Sequence, residues 1–164
     1  MKGLRITILL TLILLVMGST SFAAVTDKYF RADKQYYDAD TGVYVLSGNI
    51  VIAIEKGNIM GEQAKVKFPT QEFWGTGGWV LKQQDVTFKG DSAYVVFNKD
   101  SAQVEGNCDF QRPGLQITSD KADYNWKSKV VTFTGNVKVI PVVSSRSVDM
   151  VQYNVDTKEF IQPI

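Results

Sequence analysis

Residues 120–139 read DKADYNWKSKVVTFTGNVKV, and a matching pattern stands 29 residues earlier as DSAYVVFNKDSAQVEGNCDF at residues 91–110. Around Gly135 the apolar residues Val131, Phe133, Val137 and Val139 take every second position, the period of a β-strand with one buried face. The alternation keeps its phase through the glycine. Gly135-Asn136 therefore does not read as a two-residue hairpin, which would pair the residue before Gly with the residue after Asn. A glycine held in phase inside a strand marks a bend or bulge where two backbones approach. One kinked strand is expected here, beside a second strand that carries Ala122, Tyr124 and Trp126.

The pattern extends outward in both directions. Gly48, Gly77, Gly106 and Gly135 are each 29 residues apart, and so are Asp33, Glu62, Asp91, Asp120 and Asp149, acidic every time. Tyr37, Val66, Val95, Tyr124 and Tyr153 form another column, and Ala64, Ala93, Ala122 and Val151 a further one. Self-similarity at such a period signals stacked structural units. With a strand period inside each unit, the expectation is an all-β, solenoid-like or folded antiparallel sheet of about five 29-residue repeats. Each unit buries its apolar face against its neighbours, and the two kinked halves face one another. Turns are expected at Thr41-Gly42, Pro69-Thr70, Asn98 to Asp100, Pro113-Gly114, Lys127-Ser128 and Asp156-Thr157. Carboxylates stacked on adjacent rungs would repel. The turn character of Gly61-Glu62, Gly90-Asp91 and Ser119-Asp120 points instead to Asx-type turns at the corners, with a bound cation as the lesser alternative.

The amino terminus has a different character. Lys2 and Arg5 precede an apolar run over residues 6–17, and the small residues Gly18, Ser19, Ala23 and Ala24 follow, which is the order of a secretion signal. The run is shorter than the roughly 20 residues a spanning helix needs. Residues 1–24 are thus expected to be a signal peptide cleaved after Ala23 or Ala24, and residues 25–164 one domain. An exported chain with the single cysteine Cys108 forms no internal disulfide, and the thiol's apolar neighbours point to burial as a small hydrophobe.

Composition narrows the chemistry. The 164 residues carry 18 Lys and Arg against 17 Asp and Glu, too balanced for binding nucleic acid by phosphate neutralisation. There is no His, which removes the commonest general base, the His-containing triads and most zinc sites. No nucleophile elbow, phosphate loop or metal-spaced cysteine cluster occurs. No catalytic residue, cofactor or metal is expected. A carboxylate repeated in every unit suits architecture better than one active site.

The residues carry a resemblance. The segment 32–52, with Tyr37-Asp38, Thr41-Gly42-Val43-Tyr44 and Ser47-Gly48-Asn49 followed by apolar alternation, resembles the OstA-like (LptA-type) family of lipopolysaccharide-transport proteins. Residues 122–137 repeat that pattern. The resemblance implies a V-shaped, twisted β-jellyroll in the periplasm that shields lipid A acyl chains in an apolar groove. It implies a bridge from inner to outer membrane, built of head-to-tail copies and related jellyroll domains of LptC-like and LptD-like proteins. The groove would be lined by Ile50, Ile52, Val66, Phe68, Trp79, Leu81, Val95, Phe97, Phe110, Tyr124, Trp126, Val137 and Val139, and the assembly edges would carry Tyr36, Tyr37, Val151 and Tyr153. Core packing alone accounts for most of these columns. A membrane-tethered component of the LptC kind, a structural solenoid with a dry core, and a β-helical polysaccharide enzyme stand as alternatives, the enzyme weakest. The unit Phe73 to Trp79 departs from the pattern, with Gly78 where other units have Asn.

Overall fold

The computed structural model describes residues 25–27, 30–54, 56–140 and 148–161, so the expected signal peptide lies outside the described residues. The strands are β1 (Val25–Asp27), β2 (Phe30–Ala32), β3 (Lys34–Asp38), β4 (Val43–Ile54), β5 (Gly57–Lys67), β6 (Glu72–Gln83), β7 (Val86–Gly90), β8 (Ser92–Val96), β9 (Ser101–Arg112), β10 (Leu115–Asn125), β11 (Val130–Ile140), β12 (Val148–Asn154) and β13 (Glu159–Phe160). All pair antiparallel in a single sheet. The order is β1-β2-β4-β5-β6-β7-β9-β10-β11-β12-β13, with β3 also on β4 and β8 joining β6 to β9. The expected all-β repeat fold is what forms, and no α-helix interrupts the described residues.

Each row of the sheet bends at one level. β4, β6, β9 and β11 run unbroken through Gly48, Gly77, Gly106 and Gly135, whose φ values lie at +78, +82, +76 and +76. Asn49, Asn107 and Asn136 follow in the same left-handed region, a conformation that Asn tolerates better than most residues. The ladder slips at these points, as between Ser47 and Ile50 and between Thr134 and Val137. The hairpin reading is therefore excluded in favour of the kinked strand.

The acidic column occupies the same crease in the intervening rows, which corrects the Asx-turn expectation. Asp33 and Asp91 sit where β2 passes to β3 and β7 to β8, and Glu62 and Asp120 lie inside β5 and β10. The three aspartates bridge to the next row: Asn49, Asn107 and Asn136 donate a side-chain N–H to Oδ2 of Asp33, Asp91 and Asp120 respectively, each at 2.7 Å. Because glycine and acid rows alternate, successive carboxylates stand two strand spacings apart, roughly 9–10 Å, and repulsion is blunted without a cation. Glycine is required by the same arrangement. A Cβ on Gly48 would meet Oδ2 of Asp33 at 2.7 Å.

The crease divides the sheet into two arms. Arm A holds residues such as 43–47, 63–67, 101–105 and 130–134, and arm B holds 50–54, 57–61, 108–112 and 137–140. The arms close on each other through their apolar faces in two clusters. Ala32, Leu46, Ile50, Ala64, Phe73 and Trp79 make the amino-terminal one. Cys108, Phe110, Ile117, Ala122, Val131, Phe133, Val137, Val139, Val151 and Tyr153 make the carboxyl-terminal one.

Candidate functional site

Register defines the inner face. On arm B the rung beside the crease runs Ile50, Gly61, Trp79 and Gly90, then Cys108 paired with Ser119, then Val137. Large and small residues alternate row by row, so side chains from arm B can reach across to arm A. Trp79 shows the principle. A Cβ on Gly61 of arm B or on Gly75 of arm A would run into its indole, which also meets Phe73 edge-on at 5.1 Å. This is the structural sense of the aromatic unit Phe73 to Trp79: one indole fills the inside of the crease. Its Nε1–H is buried without a hydrogen-bond partner.

The second rung on arm B runs Ile52, Ile59, Leu81, Phe88, Phe110, Ile117 and Val139. Facing it on arm A are Tyr44, Val66, Phe73, Val95, Ala102, Tyr124, Val131 and Tyr153. Of the residues the sequence nominated, Ile50, Trp79, Phe110, Val137 and Val139 are buried, while Ile52, Val66, Phe68, Leu81, Val95, Phe97, Tyr124 and Trp126 are half-buried. Phe68 and Trp126 stand in turns at the lip of arm A, against Tyr44 at 4.9 Å and Phe97 at 6.3 Å. The nominated edge residues divide. Tyr36 and Tyr37 on β3 are exposed, whereas Val151 and Tyr153 on β12 turn their side chains into the core.

The two halves differ in closure. Large side chains almost wholly removed from water are Ile50 on one side and Phe110, Ile117, Phe133, Val137, Tyr153 and Cys108 on the other. The carboxyl-terminal half is knitted by aromatic contacts, Phe110 lying 5.8 Å from Phe133 and 5.7 Å from Tyr153. Partly exposed hydrophobics border both clusters, Ile52, Ile59, Val66, Val95 and Phe97 in the amino-terminal half and Phe88, Leu115, Tyr124 and Val155 in the other, so the halves differ in the size of the buried core between the lips. Cys108 is buried as expected, and burial pushes its thiol up to about 11, leaving it neutral and unreactive at pH 7.

A polar clasp crosses the mouth of the closed half. Arg112, at the tip of arm B, donates from Nη2 to Asp85 Oδ2 at 2.7 Å and from Nη1 to the Tyr153 hydroxyl and the Val155 carbonyl of arm A, both at 3.1 Å. Lys158 reaches the same Asp85 oxygen at 3.4 Å. The Arg112 hydrogen bond, and then its charge and that of Lys158, hold the Asp85 carboxyl below its ordinary value despite partial desolvation. Burial works against the Arg112 charge, but Asp85 and Tyr153 outweigh it and raise its pKa.

Sequence reading missed Arg112, although the alternation Cys108, Phe110, Arg112 places it on the inner face. It also left Ile59, Phe73, Phe88, Ile117 and Phe133 out of the lining. A separate concavity of about 730 Å³ lies on the outer face of arm A, bordered by Tyr94, Gln103, Asp123 and Thr132. Among the described residues no three His, Cys, Asp or Glu side chains gather as a metal site, and no helix is long and apolar enough to cross a membrane.

No protein-family model matches the sequence, and no curated protein matches it significantly. Among solved structures the chain is similar to LptH of Pseudomonas aeruginosa, the LptA-homologous periplasmic component of the conserved lipopolysaccharide transport device. The match has a TM-score of 0.57 at 17% identity and covers 74% of this chain and 92% of that one. At that identity the likeness shows the fold, an LptA-like β-jellyroll.

Proposed function

We propose that this chain is a periplasmic lipopolysaccharide-binding bridge protein that shields lipid A acyl chains between its two arms on the way from inner to outer membrane. One observation carries the reading: two facing apolar arms whose lip residues keep part of their surface in water, in a fold shared with a periplasmic component of a lipopolysaccharide transport device. An inner face of aliphatic and aromatic side chains suits a carrier of acyl chains. On this reading residues 1–24 are removed on export, which the intact mass of exported protein checks. The lining is the nominated set, Ile50 to Val139, joined by Ile59 and Phe88.

Photo-crosslinkers test the groove. Placed at Val95, Phe97 or Leu81 they are expected to capture lipopolysaccharide, and at Phe110, Trp126 and Val139 to do so less, because the clasped half is tighter. The outward positions Lys127 and Lys138 should stay blank. Equal labelling of inward and outward positions would sink the reading.

The same reading expects assembly through the sheet's two ends, into head-to-tail copies or onto jellyroll domains of LptC-like and LptD-like partners. Exposed apolar residues stand at both: Tyr36 and Tyr37 on β3, and Met150 and Ile161 beside β12 and β13. Strand addition would satisfy open backbone groups and continue the inner face from one molecule to the next. Since Val151 and Tyr153 are core residues, charge at the exposed edge is the cleaner probe. Tyr36→Lys and Met150→Lys should each abolish concentration-dependent association in sedimentation while leaving the thermal transition in place. A wild-type chain that stays monomeric at all concentrations and binds no jellyroll partner refutes the bridge.

A further inference from the structure

By register Arg112 pairs with Leu115 one rung outward from Phe110 and Ile117, so a guanidinium stands on the inner face of arm B. Among the described residues it is the charged side chain on a face otherwise built of apolar and neutral groups. Its side chain is only 5% exposed. A cation in that position needs a partner, because burying an unpaired charge is costly. The partner is Asp85, but Asp85 is shared: Arg112 and Lys158 converge on one oxygen of one carboxylate. Two cations to one anion leaves the cluster with an excess positive charge. Beside it lies a cavity of about 340 Å³, lined by Asp85, Arg112, Pro113, Gly114, Leu115, Tyr153, Lys158 and Phe160. One wall of that cavity is cationic with a hydroxyl, and the other is apolar.

We propose that this cavity is a binding site for an anionic oxygen headgroup, a phosphate or carboxylate, and that the Asp85 carboxylate is the internal anion such a group displaces. The inference rests on the carrier reading of the inner face. A chain laid along Ile117 and Phe110 brings its polar end to the lip, where Arg112 and Lys158 stand. The guanidinium fork donates to two oxygens of one phosphate or carboxylate, the Tyr153 hydroxyl supplies a further donor, and Lys158 adds a mobile charge. Asp85 and Arg112 both stand at the tip of arm B, so their parting leaves the Arg112 contacts to Tyr153 and Val155 of arm A in place and frees Lys158, the arm A partner of Asp85, for the headgroup. A free phosphate ion offers the same oxygens, and the experiment separates the two sources.

The test uses the full exported chain and isothermal calorimetry with two probes of equal chain length, dodecyl phosphate and dodecyl maltoside, below micellar concentrations. A charge-assisted site predicts that the phosphate amphiphile binds about ten- to a hundredfold more tightly than the neutral one. Asp85→Asn, which removes the competitor, should tighten dodecyl phosphate further and leave dodecyl maltoside unchanged. Lys158→Gln, at a position 62% exposed and so harmless to folding, should weaken dodecyl phosphate alone by severalfold. Inorganic phosphate is the third probe: competition with dodecyl phosphate identifies the free ion as a ligand, and its failure to compete assigns the site to a headgroup with its chain. Equal affinity for both amphiphiles, or no gain in Asp85→Asn, overturns the site while leaving the apolar groove standing. Absence of binding by all three probes overturns both.

Discussion

At the scale of single residues the crease depends on two kinds of side chain that complete each other. The acid of one row lies where a Cβ of the next row's glycine would be, and the asparagine beyond that glycine donates to the acid. Two glycines with almost equal φ separate the parts of this arrangement. Gly114, in the β9–β10 turn at φ +80, has open space around a hypothetical Cβ, while Gly106, at φ +76, would drive one into the Asp91 side chain. Gly114→Ala should therefore cost only the left-handed strain of about 1–2 kcal/mol, and Gly106→Ala roughly twice that or more. Urea denaturation of the two variants measures the difference, and equal losses would mean that the acid does not brace the crease. The Gly78 departure also finds its place at this scale. It leaves no side-chain amide opposite Glu62, and the neighbouring Trp79 holds the inside of the bend by packing.

At the scale of elements, the strand period and the crease were legible in the sequence because both are local: alternation needs only neighbours two apart, and the repeat brings each glycine back at a fixed interval. The turns at the arm A lip were legible for the same reason, since Gly, Pro, Asn and Asp mark them. At the arm B lip Pro113-Gly114 was legible in the same way, but the other two turns were not. Lys56 and Gln84 take positive φ, at 61° and 52°, without a glycine or proline to announce it, and Gln84 is held by a hydrogen bond from its N–H to the Lys56 carbonyl one hairpin away. The clasp was equally invisible, because Asp85 lies 27 residues from Arg112 and 73 from Lys158. Burial also had to be seen, since the inner columns look alike in sequence and differ in the fold. Phe133, 0% exposed at the centre of the closed cluster, should cost about 3–5 kcal/mol as Phe133→Ala. Phe97→Ala, half-buried at the lip, should cost about 1–1.5 kcal/mol, the share of full burial it has to lose. Chemical denaturation of the two variants checks the contrast, and similar losses would place both halves in one uniformly closed core.

At the scale of the whole molecule, one titratable group sits where the two arms are tied. Asp85 has a folded pKa below its ordinary 3.8, chiefly through its hydrogen bond with Arg112. Well above its ordinary 3.8, from about pH 5.5 upward, the carboxylate is ionised in folded and unfolded chains alike, and its stabilisation is complete. As pH falls, the unfolded chain takes up the proton first, so the stabilisation fades and is gone once the folded pKa is passed. Thermal unfolding between pH 6 and pH 2.5 should show a decline that Asp85→Asn makes shallower, with Asp38 and Glu72, also held low by hydrogen bonds, supplying the remainder. An identical pH profile in wild type and variant would remove Asp85 from that account. The alignment of the bends along one line has a mechanical side. Antiparallel ladder bonds run perpendicular to the strands, hence parallel to the crease, so neighbouring rows can turn together about the line of bends with little strain in the ladder. The crease is a hinge that spares the backbone. Among the described residues, resistance to opening comes from the side chains between the covers and from the clasp of Arg112, Asp85 and Lys158, whose arm A members Tyr153, Val155 and Lys158 lie toward the carboxyl-terminal end. Such a body yields first at the unfastened end and widens as a wedge, so that its stiffness, unlike its fold, is graded from one end to the other.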